Sequence, residues 1–262
     1  ESGAAFVGSC NRNKIAIEIP ACHFSNSFID LLTNDIMPTN NQYILYGGRF
    51  TRALMVEMVM AEGDINYELR EIDIVQKQHQ SPEFLAINPS GWVPALITPE
   101  GQTLYETHAI NLYLAEKHQL VQIAPGISEP ERGLFLSGLF AICNDLEPIM
   151  KRYFYPHRYV VREEDGPTMK EKALEEALNR LKVVDQRLSQ NGPYHLGDRF
   201  SLVDIALSYW TALIEYLEVL EPYPAIRQCM ELVMQRPKLR PKFDEQSAWN
   251  KEAVQSVDWS IV

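Results

Sequence analysis

A proline at the handover from loop to strand is the strongest constraint in this chain. In Asn88-Pro89-Ser90-Gly91-Trp92-Val93-Pro94-Ala95-Leu96, a glycine-containing turn leads into Val93-Pro94 and then into a short apolar run. Pro94 has no N–H to donate to a ladder, which suits the first position of a strand and makes Val93-Pro94 a candidate cis bond. Further on, a second strand ends in Glu106-Thr107 immediately before a helical pattern. Thr107 and the amides after it therefore stand at a helix N-terminus, where a carboxylate is readily held. Exposed backbone beside a proline of this kind, with an anion pocket at a helix start, suits an extended, peptide-like ligand.

The surrounding pattern reads as an ordered set of elements. Residues 43–46 form a first strand closed by Gly47-Gly48, and Thr51 is placed to cap a helix over 52–62 that is apolar nearly all round. Residues 67–72 alternate as a second strand, expected to pair in parallel with the first through a right-handed crossover. Ser81-Pro82 opens a short helix, residues 95–98 and 102–105 flank Pro99-Glu100-Gly101 as an antiparallel hairpin, and a helix follows over 107–117. This βαβ-α-ββ-α order is the plan of a thioredoxin-like α/β domain. It occupies residues 42–120, and 121–127, with Pro125 and Gly126, reads as a linker.

Beyond the linker the pattern is all-helical through 128–237. The first long helix, over 130–151, is expected to bend at Pro148. Residues 170–189 carry one apolar stripe, as in a helical bundle. Ser201-Leu202-Val203-Asp204 has capping-box spacing, with Phe200 against Ile205 as its staple. The last helix starts near Pro222-Tyr223-Pro224 and stops at Arg236-Pro237, leaving 238–262, with Trp249 and Trp259, as a tail that packs back or dangles. Residues 1–41 read as an extension of unknown role, with a short strand over 15–20 and a helical turn over 28–32. The first methionine is Met37, which is expected to be the original start; a mature chain from the source organism beginning well before it would refute this.

From about Tyr43 to Pro237 these motifs, in this order, resemble the glutathione transferase superfamily, in its bacterial and theta-like branch. The resemblance implies a thioredoxin-like glutathione-binding domain followed by an all-helical one. It implies that the Val93 backbone, beside Pro94, pairs with the cysteinyl part of glutathione, and that Glu106 and Thr107 hold the γ-glutamyl end. Thr51-Arg52-Ala53 resembles the Ser-Arg that opens the first helix, where the hydroxyl contacts the sulfur. Thr51 is thus the candidate for steadying a thiolate, with Arg52 as the alternative. Lowering a thiol pKa by one to two units requires roughly 1.4 to 3 kcal/mol. Gln78-His79-Gln80-Ser81 resembles the segment whose histidine meets the glycine carboxylate of glutathione. His108 is expected to be a partly exposed helix histidine. Phe50, Tyr153, Phe154 and Tyr155 would wall a site for a hydrophobic electrophile, against the alternative that they are core or dimer packing.

The implied activity is a detoxifying transferase with glutathione as co-substrate, acting as a homodimer. The alternative is a binding or scaffold protein of the same fold without catalysis. A disulfide oxidoreductase with its own cysteine nucleophile would need a cysteine near position 51, and none stands there. Cys10, Cys22, Cys143 and Cys229 form no Cys-x-x-Cys pair and suggest neither a metal site nor a dithiol centre. They fit a reducing, cytoplasmic compartment, with Cys143 and Cys229 as buried, inert thiols. A net charge of -11 argues against nucleic acid as a partner. The richest apolar run, 53–61, is interrupted by Glu57, so no membrane partner is expected.

Overall fold

Tyr43–Gly47 (β1) is buried along its whole length, as an inner strand of its sheet. The computed structural model describes residues 42–215 and 219–256. The features expected over 15–20 and 28–32, Cys10, Cys22, Met37 and Trp259 lie outside the described residues. β1 pairs in parallel with Tyr67–Glu71 (β2) and antiparallel with Ala95–Ile97 (β3), which pairs with Thr103–Tyr105 (β4). The sheet order is β2-β1-β3-β4. The crossover helix Ala53–Glu62 (α1) buries Leu54, Met55, Val56, Met58, Val59 and Met60, as a helix apolar on every side must. Gly47 is required where β1 meets α1, because a Cβ there would lie 2.3 Å from that of Ala53.

Pro82–Ile87 (α2) is capped by Ser81, whose hydroxyl accepts from the Phe84 amide at 3.3 Å. Its Phe84 ring meets Tyr46 of β1 edge-on, with centres 6.1 Å apart. Thr107–Lys117 (α3) buries Ile110, Leu114 and Ala115. The chain then runs through Arg132–Ala141 (α4), a π-helical turn at Ile142–Leu146, and Glu147–Phe154 (α5). The irregularity expected at Pro148 is this π turn. Proline offers no N–H to the preceding turn and the ladder slips by one residue ahead of it. The continuous helix Arg132–Phe154 is long and apolar enough to cross a membrane by length and composition alone, a match that the apolar-run criterion had missed. It is a packed bundle helix: Phe135, Leu139, Leu146, Ile149 and Met150 are buried in the core, and Glu147 and Lys151 interrupt it.

Gly166–Asn191 (α6) buries Ala173, Ala177, Leu181 and Leu188, the stripe expected from spacing. Leu202–Ile214 (α7) begins with the capping box. Asp204 accepts from the Ser201 amide at 2.8 Å, the Ser201 hydroxyl at 2.9 Å and the His195 amide at 2.7 Å. Phe200 and Ile205 are both buried in the same core. Pro224–Met234 (α8) ends before Arg236-Pro237 as expected.

The segment after it, expected as a tail that packs back or dangles, packs back over its described residues. Arg240–Ser256 is a helix (α9) that buries Phe243, Gln246 and Asn250. It is fastened by Lys242 to Glu57 at 2.6 Å and by Gln246 to the Tyr209 carbonyl at 3.0 Å. Its buried face is half polar, so it carried no hydrophobic period to detect.

Candidate functional site

The sheet brings together the two segments on which the sequence argument rested. Val93-Pro94 is a cis peptide, and Ala95 registers with Tyr105, so Pro94 stands one step from Glu106 across the β3–β4 hairpin. The loop before it is held by Asn88, which is buried. Its amide donates to the Trp92 carbonyl at 2.7 Å, and its Oδ1 accepts from the Ser90 hydroxyl at 2.8 Å. Glu106, exposed at the start of α3, has φ 65° and ψ 111°. For a residue with a side chain such a conformation costs on the order of 1–3 kcal/mol, and it is found mostly where function requires it. Thr107 beside it is 1% exposed, and its hydroxyl has no partner. A buried, unpaired donor sits at a helix end whose first amides also lack partners within the helix.

A cavity of about 320 Å³ opens next to these segments. Of the residues expected to form the site, Phe50, Thr51, Arg52, His79, Val93, Phe154 and Tyr155 line it. Pro94, Glu106 and Thr107 stand outside that lining. Tyr153 is a correction: its ring is buried in the bundle core, edge-on to Phe154 at 5.1 Å and with the Lys170 ammonium 4.7 Å from its centre. Neighbours on a helix point about 100° apart, and here Phe154 lines the cavity while Tyr153 turns into the core.

Thr51 is buried, and its hydroxyl is occupied. It donates to the Gly48 carbonyl at 2.7 Å and accepts from the Ala53 amide at 3.3 Å. It therefore serves the start of α1 although the helix itself begins at Ala53. Arg52 is not solvent-facing: it pairs with Glu147 of α5. Glu147 also meets Lys151 at 2.9 Å and His108 Nε2 at 3.6 Å, too long for a hydrogen bond but close enough for charge to act. Burial pushes the Glu147 carboxyl up, but His108, Arg52 and Lys151 outweigh it and bring it down to about 2. His108 is accordingly buried, against the expectation of partial exposure.

His79 lies in a 3-10 turn at Gln78–Gln80, buried, with Nδ1 unpartnered. Burial, then Arg158 and Lys77, lower its pKa, so the ring is neutral at pH 7. Cys143 is only half-buried, a correction, whereas Cys229 is fully buried; burial raises both thiols. Among the described residues, no group of three or more His, Cys, Asp or Glu is placed to hold a metal.

Several lining residues escaped sequence reasoning: Trp92, Lys151, Tyr209, Trp210 and, from α9, Trp249. Trp92 sat inside the motif itself, and its place beside Val93 was the signal that could have found it. The others depend on how helices far apart in the chain come together. Trp249 meets Phe50 with ring centres 6.3 Å apart, and Arg49 pairs with Glu252, so α9 closes one side of the cavity over the loop that carries Thr51.

Comparison with known proteins agrees with this architecture. Residues 41–116 match the family model described as glutathione S-transferase, N-terminal domain, and residues 146–237 match glutathione S-transferase, C-terminal domain. A glutathione S-transferase domain-containing protein of Dictyostelium discoideum is 28% identical over 200 residues, covering 72% of this chain and 74% of that protein. A disulfide-bond oxidoreductase of Escherichia coli is 28% identical over 190 residues, covering 70% of this chain and 85% of that protein. A glutathione transferase homologue from Sulfitobacter, solved with bound glutathione, superposes with a TM-score of 0.71 at 23% identity, covering 78% of this chain and 98% of that one. With both domain models matched in order across a thioredoxin-like sheet domain and a helical bundle, the chain belongs to the glutathione S-transferase superfamily.

Proposed function

We propose that this protein binds glutathione along Val93, Glu106 and Thr107 and presents its sulfur to a hydrophobic electrophile in the cavity beside them. The observation that carries this is the buried, unpartnered Thr107 hydroxyl at the start of α3, one strand register from the cis Val93-Pro94 bond. A carboxylate there would accept from that hydroxyl and from the first helix amides. The glycine carboxylate reaches toward His79, and the sulfur lies toward Thr51 and the N-terminus of α1, where a thiolate is favoured over a thiol. Proximity and anion stabilisation then supply the rate.

A second reading, glutathione binding without turnover, is favoured by one observation: the Thr51 proton is spent on the Gly48 carbonyl. Titrating the thiol of bound glutathione separates the two. The transferase reading expects its pKa to fall by about one to two units, worth roughly 1.4 to 3 kcal/mol, and to rise again in Thr51→Ala. No depression, and no change in the variant, leaves the binding protein. Among the described residues, neither Cys143 nor Cys229 lines the cavity, so neither is placed to act there as a nucleophile.

We also infer a two-fold dimer. Ser137, Phe140, Ala141 and Asn144 leave one exposed face on Arg132–Phe154, the place for a second copy. Sedimentation at micromolar concentration is expected to give a dimer that Phe140→Glu dissociates; a monomeric native protein refutes it.

A further inference from the structure

The cavity wall reverses the charge of the chain around it. The protein has 24 Lys+Arg against 35 Asp+Glu, yet the cavity is lined by Arg52, Lys151 and Arg158 and, among the described residues, by no aspartate or glutamate. The carboxylate behind the wall, Glu147, is shared between Arg52 and Lys151, so one anion faces two cations. His79, neutral for the reasons given above, offers a ring nitrogen and no charge.

These cations are set against rings. Lys151 Nζ and Arg158 Cζ each lie 5.5 Å from the centre of the Trp92 ring, and Arg158 Cζ lies 4.6 Å from that of Tyr155. The two cations lie over the Trp92 ring, which is nevertheless 46% exposed, so part of its apolar surface stays open to a ligand next to them. Elsewhere in the lining, Phe154, Leu213 and Trp249 are apolar. A ligand that matches such a wall is flat and apolar with one acid group at its edge: the ring stacks on Trp92 while the acid accepts charge-assisted hydrogen bonds.

We propose that the electrophile half of the cavity selects compounds of this class, aromatic carboxylates whose acid group is held by Lys151 and Arg158. This rests on the reading that glutathione occupies the adjoining half, with its own acid groups at the start of α3 and beside His79. Lys151 and Arg158 are then specificity-determining residues for the second substrate. A neutral compound of the same shape fills the same apolar lining but gains nothing from them.

The test uses the whole chain and two unreactive probes of one shape, naphthoate and its uncharged amide, titrated calorimetrically with and without saturating glutathione. Naphthoate is expected to bind about tenfold or more tightly than the amide in both states, as charge-assisted bonds to two cations imply. In Lys151→Gln and in Arg158→Gln that ratio falls several-fold, and Lys151→Arg restores it. The ratio is the readout, because a variant that merely loosens the cavity weakens both probes together. Equal affinities for the two probes overturn the proposal, and so does a preference that disappears once glutathione is bound, since the cations then serve the tripeptide. A protein that takes up no glutathione refutes the preceding reading instead, and the ratio in the free protein alone then decides the acid preference.

Discussion

Replacing Glu147 by alanine is expected to destabilise the protein by about 2–4 kcal/mol at pH 7, because a buried charge cluster would lose the one anion that the described residues supply to it. Glu147 is 4% exposed and contacts Arg52 from the turn before α1, Lys151 from its own helix and His108 from α3. Arg52 and Lys151 retain some access to water, which keeps the expected loss below that of a fully buried pair. Glu147→Gln keeps the volume and removes the charge, so it isolates the electrostatic part.

The sign of the pH dependence follows from the depressed carboxyl. A group lowered from 4.5 to about 2 on folding stabilises the folded state at every pH above its unfolded value. That contribution is lost as pH falls through the window from about 4.5 to about 2. The full contribution is on the order of 3 kcal/mol. Urea unfolding should therefore find native protein and Glu147→Gln well separated at pH 7 and converging near pH 2. A difference that stays constant with pH would mean that the carboxylate contributes packing only. Because the pair fixes Arg52 in the cavity wall, the variant is also expected to weaken glutathione binding at neutral pH.

The fold was legible where local chemistry carries it. Ser201 to Asp204 announces a helix start by spacing alone, and Val93-Pro94 announces a loop meeting a strand, because both depend on backbone donors and acceptors within a few residues. The site was legible only to that depth. Glu147 and His108 are far apart in sequence and meet through helix packing, so neither residue hinted at the other. α9 was read as a tail because Gln246 and Asn250 bury amides where a hydrophobic period would have shown carbon. Phe154 and Tyr153 were indistinguishable by composition, and only the rotation of α5 sorts one into the cavity and the other into the core.

The second large effect is expected at Thr107, and it runs in opposite directions for stability and binding. In the free protein the hydroxyl is buried and unpaired, an arrangement that costs about 1–3 kcal/mol. Thr107→Val keeps the shape and removes the orphan, so the unliganded variant is expected to unfold at the same temperature or higher. Glu106 carries the same logic in its backbone. Glu106→Gly relieves a positive φ and should stabilise by about 1 kcal/mol, offset in part by glycine's entropy, while removing a carboxylate from the ligand. A residue kept for packing alone would lose stability on replacement, whereas one kept for a ligand loses binding and gains stability.

Calorimetric titration of glutathione into the native protein and into Thr107→Val tests the central claim most directly. The expected result is saturable binding at one site per chain in the native protein, weakened by about tenfold or more in the variant, with the variant's unliganded thermal midpoint unchanged or raised. Equal affinity in the two proteins, or no binding in either, would contradict the account.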